Sequence, residues 1–126
     1  MLAQLLGAMA QTAAPEQGKG APATYVGEKT CIRCHDAANQ HFGHTLHARI
    51  FRLNPKTEAE RRVCEACHGP GSKHVANPTD KSVLIGFTRA WGTPIAQQNA
   101  KCLDCHAGGQ RLHWPNSIHQ INLLGC

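Results

Sequence analysis

The sequence predicts a mainly helical fold with long irregular loops and little or no β-sheet, and three observations support this prediction. The pattern C-x-x-C-H, about one helical turn in length, occurs three times. Between Phe42 and Leu53, apolar residues recur at steps of four, four and three, as on one face of a helix. Leu, Ile, Val and Phe together provide 23 of 126 residues, which is below the roughly 20% expected of a chain that builds its own apolar core. The apolar side chains alone are therefore too few to form a core, and a bound apolar group is expected to contribute to it.

The three C-x-x-C-H units use six of the seven cysteines. Two cysteines three residues apart can both reach the vinyl edge of a porphyrin, and the following histidine can then bind the iron as its proximal ligand. The pattern predicts three covalently attached haem c groups in a multihaem cytochrome c domain whose core is largely haem. The predicted ligands are Cys31, Cys34 and His35; Cys64, Cys67 and His68; and Cys102, Cys105 and His106.

C-x-x-C pairs also occur in structural zinc sites and in redox dithiols, which are the alternatives to haem. Histidine makes up 9 of 126 residues. A histidine would follow all three pairs by chance with a probability of only about 0.0004, so the pattern favours haem. Because three haems would supply the missing apolar surface, we expect the apoprotein to be largely unfolded.

The first 24 residues are expected to lie outside the folded domain, which spans residues 25–126. Residues 1–14 contain a short apolar run and the triplet Ala8-Met9-Ala10, typical of a secretory signal and its cleavage site, although no Lys or Arg precedes the run. Residues 15–24 are rich in Ala, Pro, Gly and Gln and are predicted to form a disordered linker. We therefore expect an exported, periplasmic protein. No apolar run reaches 18 residues, so no membrane span is predicted.

Helices are predicted on both sides of the Asn54-Pro55 break. The first extends from His35 to about Leu53. A capping box at Thr57-Glu58-Ala59-Glu60 starts the second, which is expected to continue through Cys64 and Cys67.

After the second motif, Gly69-Pro70-Gly71 predicts a sharp turn. Residues 76–92 are expected to form an irregular loop over a haem. Thr93-Pro94 is typical of a helix start, with threonine as N-cap and proline at the first helical position, and this helix should reach His106. A last short helix is expected between residues 116 and 124.

A six-coordinate haem iron also needs a distal ligand, usually Met or His. The only methionines, Met1 and Met9, lie in the signal-like segment, so the distal ligands are predicted to be histidines and the reduction potentials to be low. Six histidines lie outside the C-x-x-C-H units, and sequence context favours three of them. The candidate distal ligands are His47, His74 and His119.

His74 is the strongest of these candidates. The Gly69-Pro70-Gly71 turn is conformationally reproducible and directs the residues that follow it. Because His74 is only six residues from His68, it is expected to bind a neighbouring iron rather than the opposite face of the same haem. The alternative is an exposed loop histidine beside Lys73.

Four groups of residues form a longer pattern across residues 25–126: Phe42, Thr45 and His47; Cys64 to His68 with Gly69, Pro70, Gly71, His74 and Val75; Cys102 to His106; and Trp114, Ser117 and His119. This pattern resembles the DmsE/MtrA family of periplasmic decahaem c-type cytochromes. The resemblance implies bis-histidine haems and a chain of closely spaced haems that carries electrons between a periplasmic donor and an outer-membrane porin–cytochrome complex.

The chain departs from the decahaem pattern in having three complete motifs. Cys126 lies seven residues after His119, where the family pattern would begin a fourth motif, so we expect a domain truncated at its C terminus. One of the three distal candidates would then serve a haem outside the three complete sites.

Electron transfer, without a substrate of its own, is the function that these motifs favour. The alternative is a multihaem oxidoreductase that reduces nitrite, hydroxylamine or a sulfur oxyanion, or a subunit of one, which would need an iron with an open face. No catalytic residue is predicted. The formal charge of +5 is spread over scattered basic residues without interleaved aromatics, so nucleic-acid binding is not expected and redox proteins are the predicted partners.

Overall fold

The computed structural model describes residues 20–126. The predicted signal-like segment and most of the predicted linker, residues 1–19, lie outside the described residues. Among residues 20–126, the first hydrogen bonds to a distant segment are those of Thr24, whose N–H donates to the Ser72 hydroxyl (2.8 Å) and whose carbonyl accepts from the Ser72 N–H (3.1 Å). Thr24 is one position before the expected start of the domain at residue 25.

Helices connected by irregular segments make up the described part of the chain, and no strand occurs between residues 20 and 126. The prediction of a mainly helical fold is thus confirmed. Short 3-10 turns cover Arg89–Trp91 and Gly109–Arg111. The α-helices are α1 (Glu28–Ile32), α2 (Asp36–Gly43), α3 (Leu46–Leu53), α4 (Glu58–Arg61), α5 (Cys64–His68), α6 (Ser72–Ala76), α7 (Ile95–His106) and α8 (Ile118–Ile121).

The prediction of one continuous helix from His35 to Leu53 is wrong, because Thr45 divides it into α2 and α3. Thr45 has an extended backbone, with φ −88° and ψ 157°. Its hydroxyl accepts from the Ala48 N–H (3.1 Å) and donates to the Phe42 carbonyl (2.8 Å). The side chain therefore satisfies backbone groups at the end of one helix and the start of the next, a local alternative to continuing the helix.

The capping box at Thr57 and Glu60 is confirmed, since both of its reciprocal hydrogen bonds are present. The helix that it starts does not continue into the second motif as expected, however. Val63 has φ 51° and separates α4 from α5. The residue is only 7% exposed and is one of the few buried apolar residues of the described chain. A β-branched residue seldom adopts a positive φ, so Val63 combines a buried side chain with an unfavourable backbone conformation.

Helix α5 ends after the second motif as predicted, and Gly69 has φ 81°, a conformation that favours glycine. The predicted sharp turn is not present, because residues 69–71 form neither a hydrogen-bonded turn nor a bend. Helix α6, which begins at Ser72, is a structural element that the sequence pattern did not indicate. Helix α7 begins at Ile95, and Pro94 rather than Thr93 occupies its N-cap position. The Thr93 hydroxyl instead accepts from the Gly86 N–H (3.0 Å) and so ties the preceding loop to the helix start.

Buried apolar side chains are few. In residues 20–126, only Ala48 and Val63 are both apolar and buried, whereas Leu46 and Leu53 are 72% and 80% exposed. Helix α5, which carries the second motif, contacts α1, α4 and α7, and α3 contacts α2 and α4. The second motif thus lies between the elements that carry the first and third motifs, in a polypeptide with little apolar core of its own.

Candidate haem-binding sites

Each C-x-x-C-H unit forms a helical turn, as covalent attachment of a porphyrin requires. The second motif is α5 itself, and the third ends α7. The first begins in α1 and continues as a turn, in which the Cys34 and His35 N–H groups both donate to the Cys31 carbonyl (3.2 and 3.1 Å). None of the six motif cysteines is fully buried, so their sulfur atoms lie where a large planar group could reach them.

Cysteines of neighbouring motifs lie close together. Cys31 of the first motif and Cys64 of the second are near enough for their charges to interact, and so are Cys67 of the second motif and Cys105 of the third. Burial, followed by the charge of Cys31, raises the pKa of the Cys64 thiol to about 11. Reactive redox thiols have lowered pKa values, so the environment of Cys64 does not favour the dithiol alternative.

At the first motif, the structure brings together His35 and His74, which are 39 residues apart in the sequence. Their ring centroids are 6.1 Å apart and their planes are inclined by 24°. His74 lies on α6, and its Nδ1 atom is 3.5 Å from the Asp80 carbonyl. The other ring nitrogen of His74, Nε2, is the one available to bind a metal in this arrangement.

At the third motif, the structure brings together His106 and His47. Their ring centroids are 5.9 Å apart and their planes are inclined by 76°. His47 lies in the first turn of α3, directly after the Thr45 cap, and its ring is also 5.5 Å from the Phe51 ring. A second predicted distal ligand therefore lies beside a proximal one.

At the second motif, the His68 ring is held by the long loop that follows α6. Its Nδ1 is 2.7 Å from the Ile85 carbonyl, and the Ile85 N–H donates to the His68 carbonyl (3.0 Å). An Nδ1–H that donates to a carbonyl leaves Nε2 free for iron. Among the described residues, the aromatic neighbour of His68 is Phe87, with centroids 5.5 Å apart, rather than a histidine. No local pattern singles out Ile85 or Phe87, because the contact depends on the path of the loop.

The third candidate distal ligand, His119, does not lie beside a C-x-x-C-H histidine. Its ring stacks near Trp114, with centroids 6.2 Å apart and planes inclined by 20°. It lies in the first turn of α8, whose N-cap, Ser117, accepts from the Gln120 N–H (3.2 Å). Within residues 20–126, the buried indole N–H of Trp114 has no acceptor. Cys126, the predicted start of a fourth motif, is exposed.

A shared iron would set the distance between the rings of each histidine pair. With metal–nitrogen bonds of about 2.0 Å on each side, two imidazoles on one metal have ring centroids about 6 Å apart. The separations of 6.1 and 5.9 Å agree with this spacing. The residues at the first and third motifs thus fit a bis-histidine haem. Between residues 20 and 126, no group of three or more His, Cys, Asp or Glu side chains is gathered to hold a metal ion.

Comparison with known proteins gives one distant similarity. The chain is 28% identical over 102 residues to the multiheme cytochrome MtrA of Shewanella baltica (strain OS185). It is a distant relative of a multihaem cytochrome. The match covers 79% of this chain but only 29% of the length of that relative. No protein-family model and no solved structure matches the chain. No helix in residues 20–126 is long and apolar enough to cross a membrane.

Proposed function

We propose that the chain is an electron-transfer domain of a multihaem c-type cytochrome with three covalent haems. One observation carries the proposal. The histidines of the first and third motifs, His35 and His106, each lie beside a histidine from elsewhere in the chain, and the ring separations match those of two ligands on one iron. Such pairs close both faces of an iron, which favours one-electron exchange over substrate binding. The haems would supply the redox chemistry, and the chain would hold and space them.

The proposed ligands follow from these pairs. His35, His68 and His106 are the proximal ligands, and the cysteines of the same motifs form the thioether bonds. His74 is the distal ligand opposite His35, and His47 is the distal ligand opposite His106. His119 is assigned to an iron outside these two pairs, either that of the second motif or that of a fourth motif starting at Cys126.

The wider setting is also part of the proposal. We assign the chain to the DmsE/MtrA type of periplasmic decahaem cytochrome on the motif resemblance and on its 28% identity to MtrA. Residues 25–126 would then be one part of a longer row of haems. The expected location is the periplasm, in association with the outer membrane, and the expected partners are a periplasmic donor and a porin–cytochrome complex.

Expression with haem-maturation machinery tests the proposal. We expect an intact mass that includes three haems, a Soret band, and near-infrared magnetic circular dichroism typical of histidine pairs. The bare polypeptide mass, or a zinc-loaded protein without a Soret band, would contradict the haem assignment. A methionine-type charge-transfer band would contradict bis-histidine ligation.

One observation favours the oxidoreductase as a second candidate. The neighbour of His68 is the apolar ring of Phe87, 5.5 Å away, where the other two motifs have a histidine. An iron bound to His68 without a distal ligand would have an open face for a small substrate. Carbon monoxide titration of the reduced protein separates the two functions. Electron transfer with His119 bound to the second iron predicts no carbon monoxide binding, whereas the oxidoreductase predicts about one molecule per chain that is lost in Cys64→Ser/Cys67→Ser.

A further inference from the structure

Glu65 is a buried carboxylate in the middle of the second C-x-x-C-H motif. Its side chain points into the protein, and the residue is only 4% exposed. Charged groups are seldom buried to this degree unless they are paired or fully hydrogen-bonded, because burial removes their hydration. Neither haem attachment nor iron ligation in that motif requires a carboxylate at this position.

Three backbone N–H groups satisfy the Glu65 carboxylate. Oε1 accepts from Gly71 (2.8 Å) and from Val26 (3.0 Å), and Oε2 accepts from Gly27 (2.8 Å). A second, longer contact joins Oε2 to the Val26 N–H (3.2 Å). Hydrogen bonds to an ionised acceptor are roughly twice as strong as neutral ones. The carboxylate therefore joins two chain segments that are more than forty residues apart.

Each of these segments leads directly into an element that carries one member of the first histidine pair. Gly27 is the N-cap of α1, which begins the first motif and leads to His35. Gly71 is the N-cap of α6, which carries His74. Because one carboxylate binds the N-cap residues of both α1 and α6, it sets the distance between these two helices. The rings of His35 and His74 lie 6.1 Å apart.

The close packing of Gly71 strengthens this junction. A Cβ atom added there would lie 3.2 Å from Glu65 Oε1 and 3.2 Å from a methyl carbon of Val26. The backbone φ of Gly71 is −88°, which alanine adopts without strain. A side chain at this position would push Glu65 or Val26 away by a few tenths of an ångström, so glycine allows the closer approach of the N–H to the carboxylate.

We propose that Glu65, within the second motif, is the positioning residue of the first iron site and holds His74 opposite His35. This inference rests on the proposed function, in which these two histidines share an iron. It implies a direct dependence between neighbouring sites, since a residue of one attachment motif arranges the axial ligands of the next haem. Glu65 itself touches no iron.

The test uses the full-length, haem-loaded protein and the variant Glu65→Gln. Glutamine keeps the size of the side chain but replaces one acceptor oxygen by an NH₂ group, which would face a backbone N–H. We expect release of His74, a high-spin first haem, and an increase in carbon monoxide binding of up to about one molecule per chain. In Cys31→Ser/Cys34→Ser, which removes the first haem, Glu65→Gln should cause no such increase.

Two further variants complete the experiment. Glu58→Gln is the matched control, because the Glu58 side chain is 83% exposed, and it should leave the spectrum unchanged. Gly71→Ala should reproduce the effect of Glu65→Gln without removing a charge. Unchanged spin state and carbon monoxide binding in both Glu65→Gln and Gly71→Ala would overturn the inference.

Loss of all three haems from Glu65→Gln would also overturn it, because Glu65 would then support the whole fold rather than one site. His74→Ala distinguishes failure of the inference from failure of the proposed ligands. If His74→Ala opens an iron and Glu65→Gln does not, only the positioning role is wrong. If neither does, the assignment of His74 as a ligand is wrong.

Discussion

The proposed first and third iron sites have nearly the same histidine spacing but are held in different ways. At the first site, a buried carboxylate and three backbone N–H groups connect the elements that carry His35 and His74. At the third site, no hydrogen bond within residues 20–126 joins α3, with His47, to α7, with His106. The polypeptide thus arranges the His35–His74 pair directly, whereas we expect the His47–His106 pair to depend on the iron that these two histidines are proposed to share.

Removing the haems should have the largest effect and should separate the two sites. With only Ala48 and Val63 as buried apolar groups among residues 20–126, the chain made without haem-maturation machinery should lose roughly half or more of its helical circular dichroism. Residual protection from hydrogen exchange should be greater at the Glu65 junction than at the start of α3. An apoprotein as helical and cooperative as the haem-loaded protein would contradict this prediction.

Removing a distal histidine should open one iron at either site. We expect His74→Ala and His47→Ala each to yield one high-spin haem and to bind about one additional carbon monoxide per chain. The carbon monoxide signal should disappear when Cys31→Ser/Cys34→Ser is combined with the first variant, or Cys102→Ser/Cys105→Ser with the second.

His41→Ala provides a control for these two variants, since His41 lies exposed on α2. Its spectrum should match that of the unmodified protein. A high-spin haem in His41→Ala, or its absence in His47→Ala, would require a different assignment of distal ligands.

Arg52 offers a way to weaken the support of α3 without touching a ligand. Its guanidinium donates to Glu28 of α1 through Nε (2.7 Å) and lies 5.2 Å from the Phe42 ring centroid. Both charged side chains are partly buried, so Arg52→Ala should lower the free energy of unfolding by about 1–2 kcal/mol.

Denaturant unfolding of the haem-loaded protein measures this change. Arg61→Ala is the matched control, because Arg61 and its partner Glu58 are both well exposed, and it should change stability by less than about 0.5 kcal/mol. Equal effects of the two variants would show that α1 does not support α3 through Arg52.

Local sequence patterns correctly predicted the structural features that depend only on adjacent residues. The Thr57 capping box and the end of α5 at Gly69 depend on a few adjacent residues, and both are present. The break at Thr45 was missed because a helix-spaced apolar pattern also fits two shorter helices on either side of a cap. The role of Glu65 could not be predicted, because its N–H donors at Val26 and Gly27 are 39 and 38 residues away.

The histidine pairs show the same limit. C-x-x-C-H identifies a proximal ligand from five adjacent residues, whereas the distal ligand comes from wherever the folded chain returns to the iron. Exclusion of methionine and the context of His47 and His74 narrowed the candidates. The sequence could not show which proximal histidine each candidate would approach. In the structure, His74 lies beside His35, and His47 lies beside His106.

The smallest predicted effect concerns the caps that precede two candidate distal ligands. Thr45 and Ser117 each accept a hydrogen bond from the N–H three residues ahead, at 3.1 and 3.2 Å. Each cap lies two residues before a histidine, His47 in α3 and His119 in α8. Replacing such a cap by alanine costs about 1 kcal/mol of helix stability.

Thr45→Ala should therefore destabilise the haem-loaded protein by about 1 kcal/mol, while Thr45→Ser, which keeps the hydroxyl, should be nearly neutral. At the third site, no buried carboxylate among the described residues holds the two histidine-bearing helices together. Loss of the Thr45 cap should therefore also slightly raise the fraction of protein in which the third haem is high-spin. Ser117→Ala should leave the first and third haems unchanged, since His119 lies beside Trp114 and not beside either pair. A larger change at the first or third haem in Ser117→Ala than in Thr45→Ala would mean that His119, rather than His47, supports one of these two irons.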